Sequence, residues 1–89
     1  MDKYKFRAKY FNRFRFRTLC EVHWYIPYHK CIVKQCTLEQ VCEDVMLWIQ
    51  DGYMVYDEFH YRPDFVELTL ENTTAVSDYQ YINFNVRIL

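Results

Sequence analysis

Seven basic residues crowd the first seventeen positions of this 89-residue chain, where they could bind phosphate or carboxylate groups. Arginine presents a planar fork of donors that matches either group, and lysine adds a compact positive charge. The segment has a net charge of +6 and the remaining residues one of −7. This asymmetry indicates an anionic partner or pairing between the two parts of the chain. The seven residues are Lys3, Lys5, Arg7, Lys9, Arg13, Arg15 and Arg17.

An aromatic stretch at 23–29 (HWYIPYH) follows the basic segment and could enlarge a contact surface. Tyr and Trp dominate binding hot spots because they bury large areas at low entropic cost. The alternative is that Trp24 belongs to the core and the tyrosines cover the end of the sheet. The predicted binding residues are Lys5, Arg7, Lys9, Arg13, Arg15, Arg17, His23, Tyr25 and Tyr28.

Four cysteines and two nearby histidines raise the question of a zinc site. Their spacing matches neither paired CxxC motifs nor a C₂H₂ finger, and strand alternation would place Cys20 and His23 on opposite faces. We therefore predict buried, reduced thiols, with no metal and no cofactor. The four are Cys20, Cys31, Cys36 and Cys42.

Groups that could catalyse a reaction are sparse. Glu58 and His60 lie two residues apart on one predicted strand, within reach of each other for acid–base work. Such pairs arise by chance in many sequences, and Ser77 lies in a predicted loop without a recognisable nucleophile motif. We expect a protein that is not an enzyme.

The basic residues are predicted to lie on a β-hairpin. Residues 3–10 and 13–25 alternate between basic and apolar side chains, which is the period of a half-buried strand. A three-residue loop at 11–13 keeps each face uniform, with the cations together on one face. Like charges opposite each other are destabilising, so solvent, acidic neighbours such as Glu67 and Glu71, or a bound partner must offset them.

The clearest predicted element is a helix that begins after Thr37 and ends at Gly52. Thr37 and Gln40 have the spacing of a capping box, and a single apolar stripe runs from Leu38 to Ile49. Glycine is the residue most often found in the left-handed backbone conformation that ends an α-helix. The outer face is acidic and gives a second candidate contact surface, made of Glu39, Glu43 and Asp44.

The remaining strands are predicted at 28–34, 53–61, 65–71 and 79–88, with a loop at 72–78. The inward residues of the last two strands are Val66, Leu68, Leu70, Ile82, Phe84, Val86 and Ile88. The order is therefore βββαβββ, a single α+β domain over 1–89 with a mostly antiparallel sheet and one amphipathic helix on one face.

These features favour a small cytoplasmic binding protein without a signal peptide or membrane span. Its size and its Tyr, Phe, Lys and Asn usage are typical of phage genes, so we expect a phage-encoded inhibitor that docks the basic and aromatic face on an acidic or nucleic-acid-binding surface of a host protein. The alternative is direct binding of nucleic acid or a small nucleotide through the same face. The two edge strands of the sheet would be unpaired, so a homodimer formed by sheet extension is also possible.

Overall fold

The fold, given by a computed structural model that describes residues 1–26 and 30–89, is a five-stranded antiparallel sheet with two α-helices. The strand order is β2-β1-β5-β4-β3. In chain order the elements are α1 (Lys3–Tyr10), β1 (Leu19–Ile26), β2 (Lys30–Thr37), α2 (Leu38–Gln50), β3 (Met54–Arg62), β4 (Phe65–Glu71), a 3₁₀ turn (Ser77–Tyr79) and β5 (Tyr81–Ile88).

The predicted class, α+β with a mostly antiparallel sheet, is confirmed, but the element order is wrong. The described ranges hold two helices and five strands rather than one helix and six strands. They contain no helix long and apolar enough to cross a membrane.

Helix α2 forms as its sequence predicts. The Thr37 hydroxyl accepts a hydrogen bond from the Gln40 backbone N–H at 3.2 Å, and Gly52 has the positive φ of 104° that ends the helix. The Gln40 side-chain amide also donates to Asp44, one helical turn later, at 3.0 Å. The stripe is buried at Leu38, Val41, Cys42 and Val45 and half-buried at Trp48 and Ile49.

The predicted N-terminal hairpin is wrong, because residues 3–10 form helix α1. The Asp2 carboxylate caps it by accepting from the Lys5 backbone N–H at 2.8 Å. Phe6 and Tyr10, one helical turn apart, are buried, whereas Tyr4 is 63% exposed. Over eight residues, apolar side chains at every second position also contain a pair spaced by four, so alternation does not exclude a helix.

The predicted loop at 11–13 and the first half of the strand at 13–25 are also wrong. Residues 11–18 form turns, closed by a bond from the Phe14 N–H to the Phe11 carbonyl and one from Thr18 to Arg15, both 3.0 Å. The strand begins only at Leu19. The Phe11 ring is buried in the core, so this segment folds onto the protein instead of extending from it.

The other strands agree with the sequence apart from their ends. Val66, Leu68 and Leu70 of β4 are buried as predicted, as are Ile82, Phe84 and Val86 of β5. β2 lies later than the predicted 28–34, and the 3₁₀ turn occupies the end of the predicted loop and the start of the last predicted strand.

Both helices pack on one face of the sheet, which we call the covered face. Its central residues include Val22 of β1, Phe84 of β5 and Leu68 of β4, and these share one core with Phe6 of α1 and Val41 of α2. The helices are joined at their outer side by Lys3, whose Nζ lies 2.8 Å from Glu39 and 3.1 Å from Glu43.

The opposite side of the sheet, which we call the open face, carries the residues that alternate with the core. Direct cross-strand partners share a face, so His23, Asn85, Glu67 and Phe59 form one row across β1, β5, β4 and β3. The β3–β4 register shifts between Val55 and Asp57 and again between His60 and Arg62. These irregularities end the simple alternation of β3.

Helix α1 predicts unequal effects of truncating two neighbouring rings. Phe6→Ala should lower the free energy of unfolding by about 3–5 kcal/mol, because it empties a fully buried ring site. Tyr4→Ala should cost less than about 1 kcal/mol, since the Tyr4 ring is mostly in solvent. Urea unfolding followed by circular dichroism measures both. Equal losses would contradict the helix, because only a hairpin places both rings on one buried face.

Candidate functional site

Two exposed basic residues on α1 and three in the turns that follow it make up one group of the predicted binding residues. We call this the cationic surface: Lys5, Lys9, Arg13, Arg15 and Arg17. Within residues 1–26 and 30–89, no carboxylate forms an ion pair with any of the five. Lys9 Nζ lies 5.3 Å from the centroid of the Tyr10 ring, and the side chains of all five are exposed to solvent.

Arg7 has a different role from these five. It is partly buried, its guanidinium donates to the Phe14 carbonyl at 2.9 Å, and it lies 5.3 Å from the centroid of the Phe16 ring. These contacts hold the turns after α1 against the helix. Sequence reasoning could not separate Arg7 from its neighbours, because that difference arises only once α1 is helical.

The acidic side chains of α2, predicted as a second contact surface, are engaged within the chain. Glu39 and Glu43 bind Lys3, and their hydrogen bonds to its ammonium group raise the pKa of Lys3. Asp44 accepts from Lys34 at 2.9 Å. The three carboxylates are thus paired with two lysines, which leaves one negative charge unbalanced.

Glu67 and Glu71, the carboxylates considered as internal partners of the basic segment, lie on the open face. Glu67 accepts from the Tyr61 hydroxyl at 2.6 Å, and a hydrogen bond to Glu71 raises the pKa of Tyr81. The sheet separates both carboxylates from the cationic surface. No internal lattice of ion pairs joins them in the part of the chain that the structure describes.

His23 and Tyr25 also lie on the open face, away from the cationic surface that they were predicted to continue. His23 Nε2 is 3.0 Å from Glu21 Oε2, and this contact, with a bond from Gln35, lowers the pKa of Glu21. The His23 and Tyr25 rings stack at 6.4 Å. Tyr28 lies outside the described residues.

A second surface, which sequence reasoning missed, occupies the β3 side of the open face. Tyr56 and Tyr81 meet edge-on at 5.4 Å, and Tyr61 stacks between Phe59 at 6.1 Å and Phe65 at 5.1 Å. The register shifts bring Tyr56 and Tyr61 to the same side as Phe59. We call it the aromatic–acidic face: Tyr56, Asp57, Phe59, Tyr61, Phe65, Glu67, Glu71 and Tyr81. The available signal was the failure of 53–61 to alternate.

A groove of about 380 Å³ lies between the end of α1 and the β3–β4 turn. Its lining includes four basic groups from two parts of the chain: Lys9, Arg13, His60 and Arg62. The His60 ring stacks on Tyr10 at 6.1 Å and lies 3.7 Å from Glu58. The predicted Glu58–His60 pair is thus close together, but both residues are exposed on β3.

The four cysteines are free thiols in different surroundings. Cys20 and Cys42 are buried, as predicted, and burial raises the pKa of each to about 12. Cys36 is partly buried, whereas Cys31 is exposed, contrary to the prediction of burial. Among the described residues, no three His, Cys, Asp or Glu side chains are grouped so that they could hold a metal ion.

Comparison with protein-family models, with curated proteins and with solved structures finds no match to this chain.

The thiol environments predict a graded reaction with a disulfide reagent at neutral pH. Cys31 should react first, because it is exposed, whereas Cys20 and Cys42 should react only after unfolding, since burial disfavours the reactive thiolate. Ellman titration before and after adding guanidinium measures the classes. Cys31→Ser should abolish the fast phase, and a fast phase that survives this change would contradict the assignment.

Proposed function

We propose that this chain is a non-enzymatic binding protein that docks its cationic surface on an acidic surface of another protein. In its most specific form the proposal is a phage-encoded inhibitor of a host protein, which the small size and composition support. The observation that carries the proposal is the exposure of five cations without an acidic partner in the described residues.

Five cations within residues 5–17, none of them in an ion pair in the described part of the chain, repel one another. The chain contains enough carboxylates to offset them, yet those of α2 are bound to Lys3 and Lys34, and those of β4 lie on the open face. A partner that supplies carboxylates would relieve the repulsion and give the arginine forks their bidentate acceptors. Charge complementarity of this kind also accelerates the encounter between partners.

A protein partner fits better than a long nucleic acid because the rest of the molecule is acidic. Outside the first seventeen residues the net charge is −7, and carboxylates occupy the open face. A polyanion that extends beyond the cationic surface would meet that charge. An acidic protein surface of limited size can contact the cationic surface without meeting that negative charge.

Charge reversal on the cationic surface tests this proposal. The partner is first captured from cells of the natural host, identified, and purified. Arg15→Glu/Arg17→Glu should weaken its binding at least about 10-fold and slow association, because like charges then face each other. Isothermal titration and stopped-flow kinetics at low salt give both quantities. Arg87→Glu, a reversal on the open face, is the control and should leave affinity within about 2-fold.

Two outcomes would contradict a protein partner. One is affinity that the double reversal leaves unchanged. The other is binding of random oligonucleotides by the unchanged chain at low salt, with affinity that falls steeply as salt rises, since phosphate recognition releases counterions.

A second candidate function rests on the groove between α1 and the β3–β4 turn. Here Lys9 and Arg13 are joined by His60 and Arg62 from another part of the chain, which is a suitable arrangement for a phosphate-bearing small molecule. The volume of about 380 Å³ suits a ligand of sugar-phosphate size. Asp64, 3.5 Å from Arg62 Nε, and Glu58 beside His60 would compete with the ligand for these groups.

Ribose 5-phosphate is the probe for the groove. Arg13→Ala and Arg62→Ala should each weaken its binding by about 10-fold or more, the value of one lost charge-assisted hydrogen bond. Arg17→Ala is the matched control, because Arg17 belongs to the cationic surface but does not line the groove. NMR titration of backbone amides gives the affinities. Equal effects of Arg17→Ala and Arg62→Ala would exclude a specific site there.

A further inference from the structure

The cationic surface and the aromatic–acidic face lie on opposite sides of the sheet. Phe6, Tyr10 and Phe11 anchor the basic segment in the core on the covered face. Glu67 and Glu71 are cross-strand partners of Asn85 and Tyr81 on the open face. The two regions carry opposite charge; they adjoin at the β3 edge, where Lys9, Arg13 and Tyr61 line one groove, but the described residues form no ion pair between them.

The aromatic–acidic face is unusually apolar for a solvent-facing sheet surface. Tyr56, Phe59 and Tyr61 are 61%, 51% and 56% exposed, so several large rings project into water side by side. Clusters of exposed Tyr and Phe are typical of binding surfaces. Asp57, Glu67 and Glu71 lie among these rings and would favour a basic partner.

One contact on this face already displays the chemistry that a basic partner would use. The Arg87 guanidinium lies 5.3 Å from the centroid of Phe65, in a cation–π arrangement. An arginine that arrives from outside could likewise stack on a ring and pair with a carboxylate. Arginine is well suited to both contacts at once.

We infer that the aromatic–acidic face binds the cationic surface of a second copy of this chain. Charge complementarity selects that occupant: the cationic surface carries five cations and the aromatic–acidic face carries three carboxylates, Asp57, Glu67 and Glu71, so each copy offers what the other lacks. The net charge of −1 adds little repulsion between copies. The inference rests on the proposed function only in treating the cationic surface as a binding surface.

The resulting contact joins unlike surfaces and is therefore heterologous. Because the two surfaces lie on opposite sides of the sheet, each bound pair of copies leaves one surface of each kind free. Such contacts build a closed ring or an extended stack rather than a two-fold dimer. Association should weaken strongly with salt, since the contact is electrostatic and near the surface.

Sedimentation velocity of the purified full chain tests the inference. At about 20 mM salt the weight-average mass should at least double as the protein concentration rises from micromolar to millimolar, and about 500 mM salt should restore the monomer, because the Debye length is then only a few ångströms. Arg15→Glu/Arg17→Glu and Glu67→Arg/Glu71→Arg should each be monomeric alone. An equimolar mixture of the two should assemble again, because both surfaces are then complementary between variants.

The control for the second variant is Asp51→Arg/Asp78→Arg, which changes net charge equally at exposed sites outside both surfaces and should still associate. Phe59→Ala should weaken assembly without altering charge. A monomer at every salt concentration overturns the inference, and so does assembly that either reversal leaves intact or a mixture that fails to restore it. This assay uses the chain alone, so the absence of self-association would not contradict binding of another, acidic protein. Conversely, the absence of such a partner would not contradict self-association.

Discussion

The width of the sheet is the constraint on which the rest of the structure depends. Five strands span four spacings of about 4.8 Å, or about 19 Å, whereas one helix with its side chains is about 10–12 Å across. Helix α2 alone would leave much of the covered face in water. Helix α1 completes the cover with Phe6, Tyr10 and Phe11, and that requirement decides the conformation of the N-terminal segment.

Completing the core with α1 determines where the cations lie. Once three rings of this segment face inward, its long basic side chains must either extend into solvent or reach across the outside of the helix pair to a neighbouring group. Lys3 does the latter and reaches the carboxylates of α2, while Arg7 folds back on the turn at Phe14. The other five cations are left exposed, so the cationic surface follows from packing.

The sequence predicts correctly those elements whose apolar residues fit only one periodicity, that of a helix or that of a strand. Thr37, the apolar stripe and Gly52 define α2, and the alternation of β4 and β5 identifies their buried residues. In residues 3–10 the side chains fit both periods, and only the uncovered part of the sheet favours the helix. The β-bulges of β3 cannot be predicted from the sequence of that strand either, because they depend on its pairing with β4.

The same distinction applies to the predicted binding residues. The sequence predicts correctly that five cations are exposed, because a charged side chain stays in solvent whether its segment is a strand or a helix: Lys5, Lys9, Arg13, Arg15 and Arg17. His23 and Tyr25 were assigned to the cationic surface through strand alternation across a segment that is not a strand. The error in secondary structure therefore moved them to the wrong side of the molecule.

The position of β5 between β1 and β4 has a consequence for the speed of folding. β1–β2, β3–β4 and β4–β5 are pairs of neighbours along the chain, but Cys20 pairs with Ile88 across almost the whole sequence. The β1–β2 hairpin and the β3–β4–β5 meander can form early. Joining them requires one long loop closure, and its entropic cost comes before the contacts that offset it. We expect that single junction to set the folding rate, so substitutions at Val22 or Val86 should slow folding more than equally buried changes in α2.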